Sequence, residues 1–175
     1  MSGTVGVIGS RSLPASFAPL VYSVVRSYLS RGFAVASGGA IGADAFALSA
    51  LLQLGAASSG VIFSAWQSLQ GFPVSVHSHI RQFIASGGRV VWGLSAPGAS
   101  RQHAVSALLA RNRRLVLASS VIVAFMHGAS RGTLYTISQA VARGIPVVVF
   151  LCGDGAAVPP DLVGQVSIIL GREVI

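Results

Sequence analysis

Short apolar runs alternate with segments of helical length along nearly the whole chain, and glycine-containing turns stand at the junctions. Residues 4–9, 33–36, 61–63, 89–92, 121–125 and 147–151 read as strands that are mostly apolar in every position rather than in every second one. Such strands need cover on both faces, as in a parallel sheet. Between the first two, residues 17–29 set Leu20, Val21, Val24, Val25 and Tyr28 at helical spacing, and Arg31-Gly32 supplies a basic last turn and a glycine stop. Residues 43–54, 76–85, 103–118 and about 134–143 predict further helices, the last ended by Gly144-Ile145-Pro146. Beyond Pro159-Pro160 the tail offers a candidate short strand at 167–170. The alternation predicts an α/β fold, a single doubly wound, mainly parallel sheet with helices on both faces, forming one domain over residues 1–175.

Other classes compete with that expectation and are disfavoured by the residues. A hydrophobic content of 53% and a mean hydropathy of +0.74 raise the question of a membrane span, since residues 33–66 carry a single charge, Asp44. That region is broken by Gly38, Gly39, Gly42, Gly55 and Gly60, and its acid would sit in lipid without a partner, so no membrane association is expected. Before Arg11 the apolar run is only 5–8, too short for a signal-peptide core, which predicts a cytoplasmic location. Lone Cys152 forms no internal disulfide and reads as a buried strand-end residue. His77 and His79 form a His-x-His pair, but no carboxylate or cysteine cluster accompanies them, so no metal and no cofactor are expected.

Charge narrows the choice further. Twelve cations against four acids give a net charge of +8, and every cation is arginine. The planar guanidinium fork suits phosphate and stacks on bases, so the excess points to a polyanionic partner; a genome bias against lysine is the bland alternative.

In a doubly wound sheet, ligands bind beyond the carboxyl ends of the strands. The residues expected there are Gly9-Ser10-Arg11, the stretch from Ser37, Gly38, Gly39 and Gly42 to Asp44, Ser95, and a polar loop over 127–133 that holds Ser130, Arg131, Gly132 and Thr133. The glycine turn before Asp44 sits at a strand-to-helix junction, where unpaired N–H groups let a phosphate approach closely. The same glycines also suit a tight turn and close helix–strand contact, with Asp44 as an acidic first-turn residue. Hydroxyls on Ser10, Ser37, Ser130 and Thr133 and guanidinium groups on Arg11 and Arg131 would complete a phosphate pocket. A Walker lysine and the G-x-G-x-x-G spacing are both missing.

Six short motifs occur in one order: Gly9-Ser10-Arg11 with Pro14; Ser37-Gly38-x-Ala40-x-Gly42-x-Asp44; Ser95-x-Pro97-Gly98; Arg111-Asn112-Arg113; Gly132-Thr133-Leu134-x-Thr136; and Ala142-x-Gly144-x-Pro146-Val147. In that order the chain resembles the DNA-processing protein A family (DprA, also called Smf), within a superfamily that includes the lonely-guy phosphoribohydrolases. The resemblance implies a Rossmann-like domain that binds single-stranded DNA and, in the family, helps load recombinase during DNA uptake and recombination. It carries over Arg11, Gly38, Asp44, Arg111, Arg113 and Thr133 as binding positions. The family usually has Arg, His and Lys where this chain has Ile41, Leu48 and Ser130, and Arg131 adjoins the last of these.

The lonely-guy enzymes place a glutamate where Thr136 stands, and a hydroxyl cannot act as that carboxylate base near neutral pH. No catalytic residue is therefore assigned. The resulting expectation is a protein that grips single-stranded nucleic acid or a nucleotide phosphate and assembles as a homodimer or higher oligomer. The alternative is a pocket for a small nucleotide, sensed or hydrolysed.

Overall fold

The computed structural model describes residues 3–171; the ends of the expected domain, 1–2 and 172–175, lie outside the described residues. In the first strand, β1 (Thr4–Gly9), Val5 and Val7 enter one core whereas Ile8 enters another. Strand β5 (Val121–Met126) does the same, with Val123 and Phe125 on one side and Ile122, Ala124 and Met126 on the other. Both faces of the sheet are thus dry, which accounts for the continuous apolar runs.

The remaining strands are β2 (Ala34–Ser37), β3 (Gly60–Phe63), β4 (Arg89–Val91), β6 (Val147–Cys152) and β7 (Ser167–Gly171). All seven pair in parallel, in the order β4-β3-β2-β1-β5-β6-β7. Helices α1 (Ala18–Ser30), α2 (Ala43–Gln53) and α3 (Val74–Ala85) fill one core through Val21, Val25, Leu48, Leu51, Ile80 and Phe83. Helices α4 (Arg101–Leu117), α5 (Arg131–Val141) and α6 (Pro160–Val163) fill the other through Leu115, Val116, Ile137, Ala140 and Leu162. The chain therefore winds outward from β1 to β4, returns along α4, and winds outward again from β5. Because parallel crossovers share one hand, reversing direction in the sheet moves the later helices to the opposite face. This is an α/β Rossmann-like fold with its topological switch between β1 and β5, and among the described residues no helix is long and apolar enough to cross a membrane.

Several boundaries differ from the sequence expectation. Ser37, placed in the turn, is the buried last residue of β2. Helix α4 starts at Arg101 rather than 103, because Ser100 accepts a hydrogen bond from the His103 amide and sets the helix start. The polar loop expected over 127–133 ends early. Arg131, Gly132 and Thr133 are the first turn of α5, with Ser130 at the N-cap and its hydroxyl 2.7 Å from Thr133 Oγ1. Helix α6 answers to no helical pattern in the sequence, being a four-residue piece started by Pro160.

Candidate functional site

At the switch point, Gly9 of β1 lies in register with Phe125 of β5, so the loops that follow the two strands leave the sheet side by side. Ser10 joins them: its amide donates to Phe125 O, its hydroxyl accepts from the His127 amide, both at 2.9 Å, and its carbonyl accepts from the Ala43 amide at 3.3 Å. Ser10 is 1% exposed, so its polar groups organise the crevice from inside. Gly42 has φ +75°, and a Cβ there would meet the Ser10 and Arg11 carbonyls. Gly9 likewise leaves no space, since its Cβ would run into Phe125 O and Ala43. These two glycines let α2 and the loop after β1 touch.

Asp44 is buried in the first turn of α2, and its carboxylate serves more than the helix dipole. Its Oδ2 accepts from the Ala40 amide at 3.2 Å and faces Arg111 Nη1 of α4 at 3.5 Å, with the two side chains 7% and 9% exposed. Gly38 sits against this pair; any Cβ there would overlap the Arg111 guanidinium. Burial pushes the Asp44 carboxyl up from its ordinary value, opposed first by Arg111, then by the Ala40 amide and by Arg11. Burial likewise lowers Arg111 against the pull of Asp44. A guanidinium has five N–H donors, and here one reaches Asp44 while buried Nε has no partner. Arg111 is a fixed cation with donors to offer.

What it faces is a cavity of about 770 Å³ over the switch point. Gly9, Ser10 and Arg11 line it from the loop after β1, Asp44 from α2, Leu108, Arg111 and Asn112 from α4, and Ser130, Arg131, Gly132 and Thr133 from the start of α5. The first-turn amides of α5 have no intrahelical acceptor and carry partial positive charge, and nothing stands within 4 Å of where a Gly132 Cβ would be. A helix start, a buried guanidinium and the exposed Arg11 and Arg131 thus converge on one concavity. That arrangement suits an anion.

Not every expected residue joins it. Ser37 is buried with its hydroxyl unpaired and Gly39 (φ +69°) packs on Ile62 and Phe72, so neither lines the cavity. Gly42 shapes the turn without lining the cavity, and Gly38 opens instead on a second cavity beside it. Arg113 points to Tyr135, donating to its hydroxyl at 2.6 Å. Ser95 forms an isolated parallel bridge with Trp66 and does not line the cavity. Thr136 does line the cavity, and its hydroxyl donates to Gly132 O at 2.9 Å. Tyr135, Asn112 and Leu108 are lining residues that the sequence reading missed; only helical phase relative to Arg111 and Thr136 could have signalled them. His77, one of the His-x-His pair, bonds Phe72 O through Nε2, and the described residues contain no group of three metal-ligating side chains.

Residues 1–164 match the family model of DNA recombination-mediator protein A. Among solved structures, the chain is similar to DNA processing protein A from Helicobacter pylori, described with its single-stranded DNA binding mode, at TM-score 0.76 and 20% identity over 94% of this chain and 74% of that one. It is also similar to DNA processing protein A (DprA) from Streptococcus pneumoniae, at TM-score 0.71 and 22% identity over 98% of this chain and 59% of that one. The molybdenum cofactor binding protein of Rippkaea orientalis shares the fold at TM-score 0.63 and 17% identity, covering 98% of this chain and 91% of that one. No curated protein matches the chain. The family match covers nearly the whole sequence, and the chain belongs to the DNA recombination-mediator protein A family.

Proposed function

We propose that this member of the DNA recombination-mediator protein A family binds single-stranded nucleic acid, seating backbone phosphate in the cavity over the β1/β5 switch point, and that it serves DNA uptake or recombination. One observation carries the reading: Arg111, a largely buried guanidinium whose Nη1 reaches Asp44, lines the cavity beside the open first turn of α5. A buried cation with unused donors is costly unless an anion completes its shell. Phosphate supplies both the charge and the acceptors. Arg11 and Arg131, both exposed, extend the positive rim, and a net charge of +8 favours encounter with a polyanion.

A small nucleotide is the second reading, because about 770 Å³ falls within the range of small-molecule sites. Hydrolysis of such a ligand is disfavoured: Asp44, the carboxylate lining the cavity, is engaged by Arg111 and Ala40, and Thr136 is engaged by Gly132 O. Fluorescence anisotropy of labelled single-stranded and duplex DNA across a salt series, with AMP and ATP as competitors, separates the readings. Salt-sensitive single-strand binding that mononucleotides do not displace supports the first. Weak DNA binding abolished by nucleotide supports the second, and affinity that is flat with salt overturns the phosphate site.

A further inference from the structure

Beyond the ends of β3 and β4, at the edge of the sheet opposite β7, the surface turns apolar. Leu94 is 96% exposed and Val74 82%, with Trp92 at 38% and Ile41 at 39%. Contacts join them into one corner: Ile41 and Pro73 both line the second cavity, of about 460 Å³, Val74 follows Pro73, and Phe72 meets Trp92 edge-on at 6.3 Å. The backbone around Leu94 is firmly held. The Gly93 amide donates to Trp66 O at 2.8 Å, the Ser95 amide donates to Ala65 O at 3.2 Å, and Ser95 O accepts from the Gln67 amide at 3.0 Å. From α4, Arg114 donates to Trp92 O at 3.2 Å. Singly exposed apolar side chains are ordinary, whereas a contiguous group held out on a fixed backbone marks an interaction surface.

Charge narrows the partner. Residues 45–153, which supply all of this corner except Ile41, contain arginines but no acid, and exposed Arg101 opens α4 six residues past Ser95. The corner also runs into the second cavity, which Arg11 and Arg111 line as they line the first. It suits a ligand that is apolar at its centre, anionic at its rim and continuous with a strand on those two arginines. The end of a duplex has that form, a flat base pair edged by phosphates, and leucine is among the side chains that pack against base steps. We propose that this corner caps the terminal base pair of a duplex whose single-stranded extension enters the phosphate cavity, so that the preferred ligand is a junction between duplex and single strand. This rests on the reading of the first cavity as a phosphate site. No base has to leave a paired stack, because the capped face is already open at the duplex end.

The test is an anisotropy titration with a labelled single strand, the same strand paired over half its length to leave a 5′ or a 3′ extension, and a blunt duplex. Wild-type protein should bind one of the two extended duplexes about tenfold more tightly than the single strand. Because the added contact is apolar, that gain should persist as salt is raised. The double variant Leu94→Ser with Val74→Ser, at two exposed positions outside the core, should lose the gain and keep the affinity for the single strand. A wild-type protein that binds neither extended duplex more tightly than the single strand overturns the cap and leaves the phosphate site standing. A gain that disappears with salt, or that is undiminished in the double variant, reports added phosphates alone and overturns it as well. Failure to bind any of these ligands at low salt would sink the phosphate reading, and the cap with it.

Discussion

Replacing Asp44 by Asn removes the carboxylate that faces Arg111 and leaves a buried guanidinium without its counter-charge. At 3.5 Å and an effective dielectric constant of 20, the lost attraction is about 5 kcal/mol before the cost of burying both charges is set against it. Since that burial cost then remains on Arg111, Asp44→Asn should lower the unfolding free energy by about 3–5 kcal/mol. Arg111→Met is not its mirror image. A carboxyl can take up a proton, whereas a guanidinium keeps its own throughout the accessible range. Burial already pushes Asp44 up with Arg111 opposing, so loss of Arg111 raises it further. A carboxyl whose folded value exceeds its unfolded one binds more protons in the folded state between the two. Stability is then greatest below the unfolded value of about 4 and falls as pH rises through the folded value. Arg111→Met should thus be mildly destabilised near pH 4 and lose ground toward neutrality, whereas Asp44→Asn has no carboxyl to titrate, so its deficit relative to wild type should not grow toward neutrality. Urea unfolding at about pH 4.5 and about pH 7.5 measures these differences. An Asn variant within about 1 kcal/mol of wild type, or an Arg111→Met variant with no added pH slope, would refute the description of this pair as a buried and mutually compensating one.

Three further outcomes are expected. Gly38→Ala drives a Cβ into the Arg111 guanidinium, so oligonucleotide affinity should fall at least as far as in Arg111→Met, while circular dichroism shows the fold retained. Gly42→Ala forces a side chain into positive φ and against two carbonyls; chemical denaturation should show a loss of about 1–3 kcal/mol. If Arg11 and Arg131 each pair with a phosphate, changing either to Ala should reduce the slope of log affinity against log salt by about one, and a slope equal to wild type would remove that residue from the interface.

Much of the fold was legible in the residues because its signals are local. Unbroken apolar runs such as 121–125 report burial on both faces wherever the strand lies, and Gly32 and Gly144, both at positive φ, close helices whose lengths the periodicity had set. The rim at the strand ends follows from the same logic, and Ser10, Arg11, Arg131 and Thr133 line one crevice there. Only the tertiary structure brought Asp44 against Arg111, 67 positions apart, because that contact depends on α4 returning across the sheet to the β1/β5 junction, and neither residue's neighbours encode the crossing. It also gave Ser10 to internal hydrogen bonds, turned Arg113 toward Tyr135, and set Trp66 beside Arg111. Periodicity tells which face of an element is buried; which elements meet, and so which charges and rings share a cavity, is decided by strand order and by the close approaches that Gly9, Gly38 and Gly42 permit.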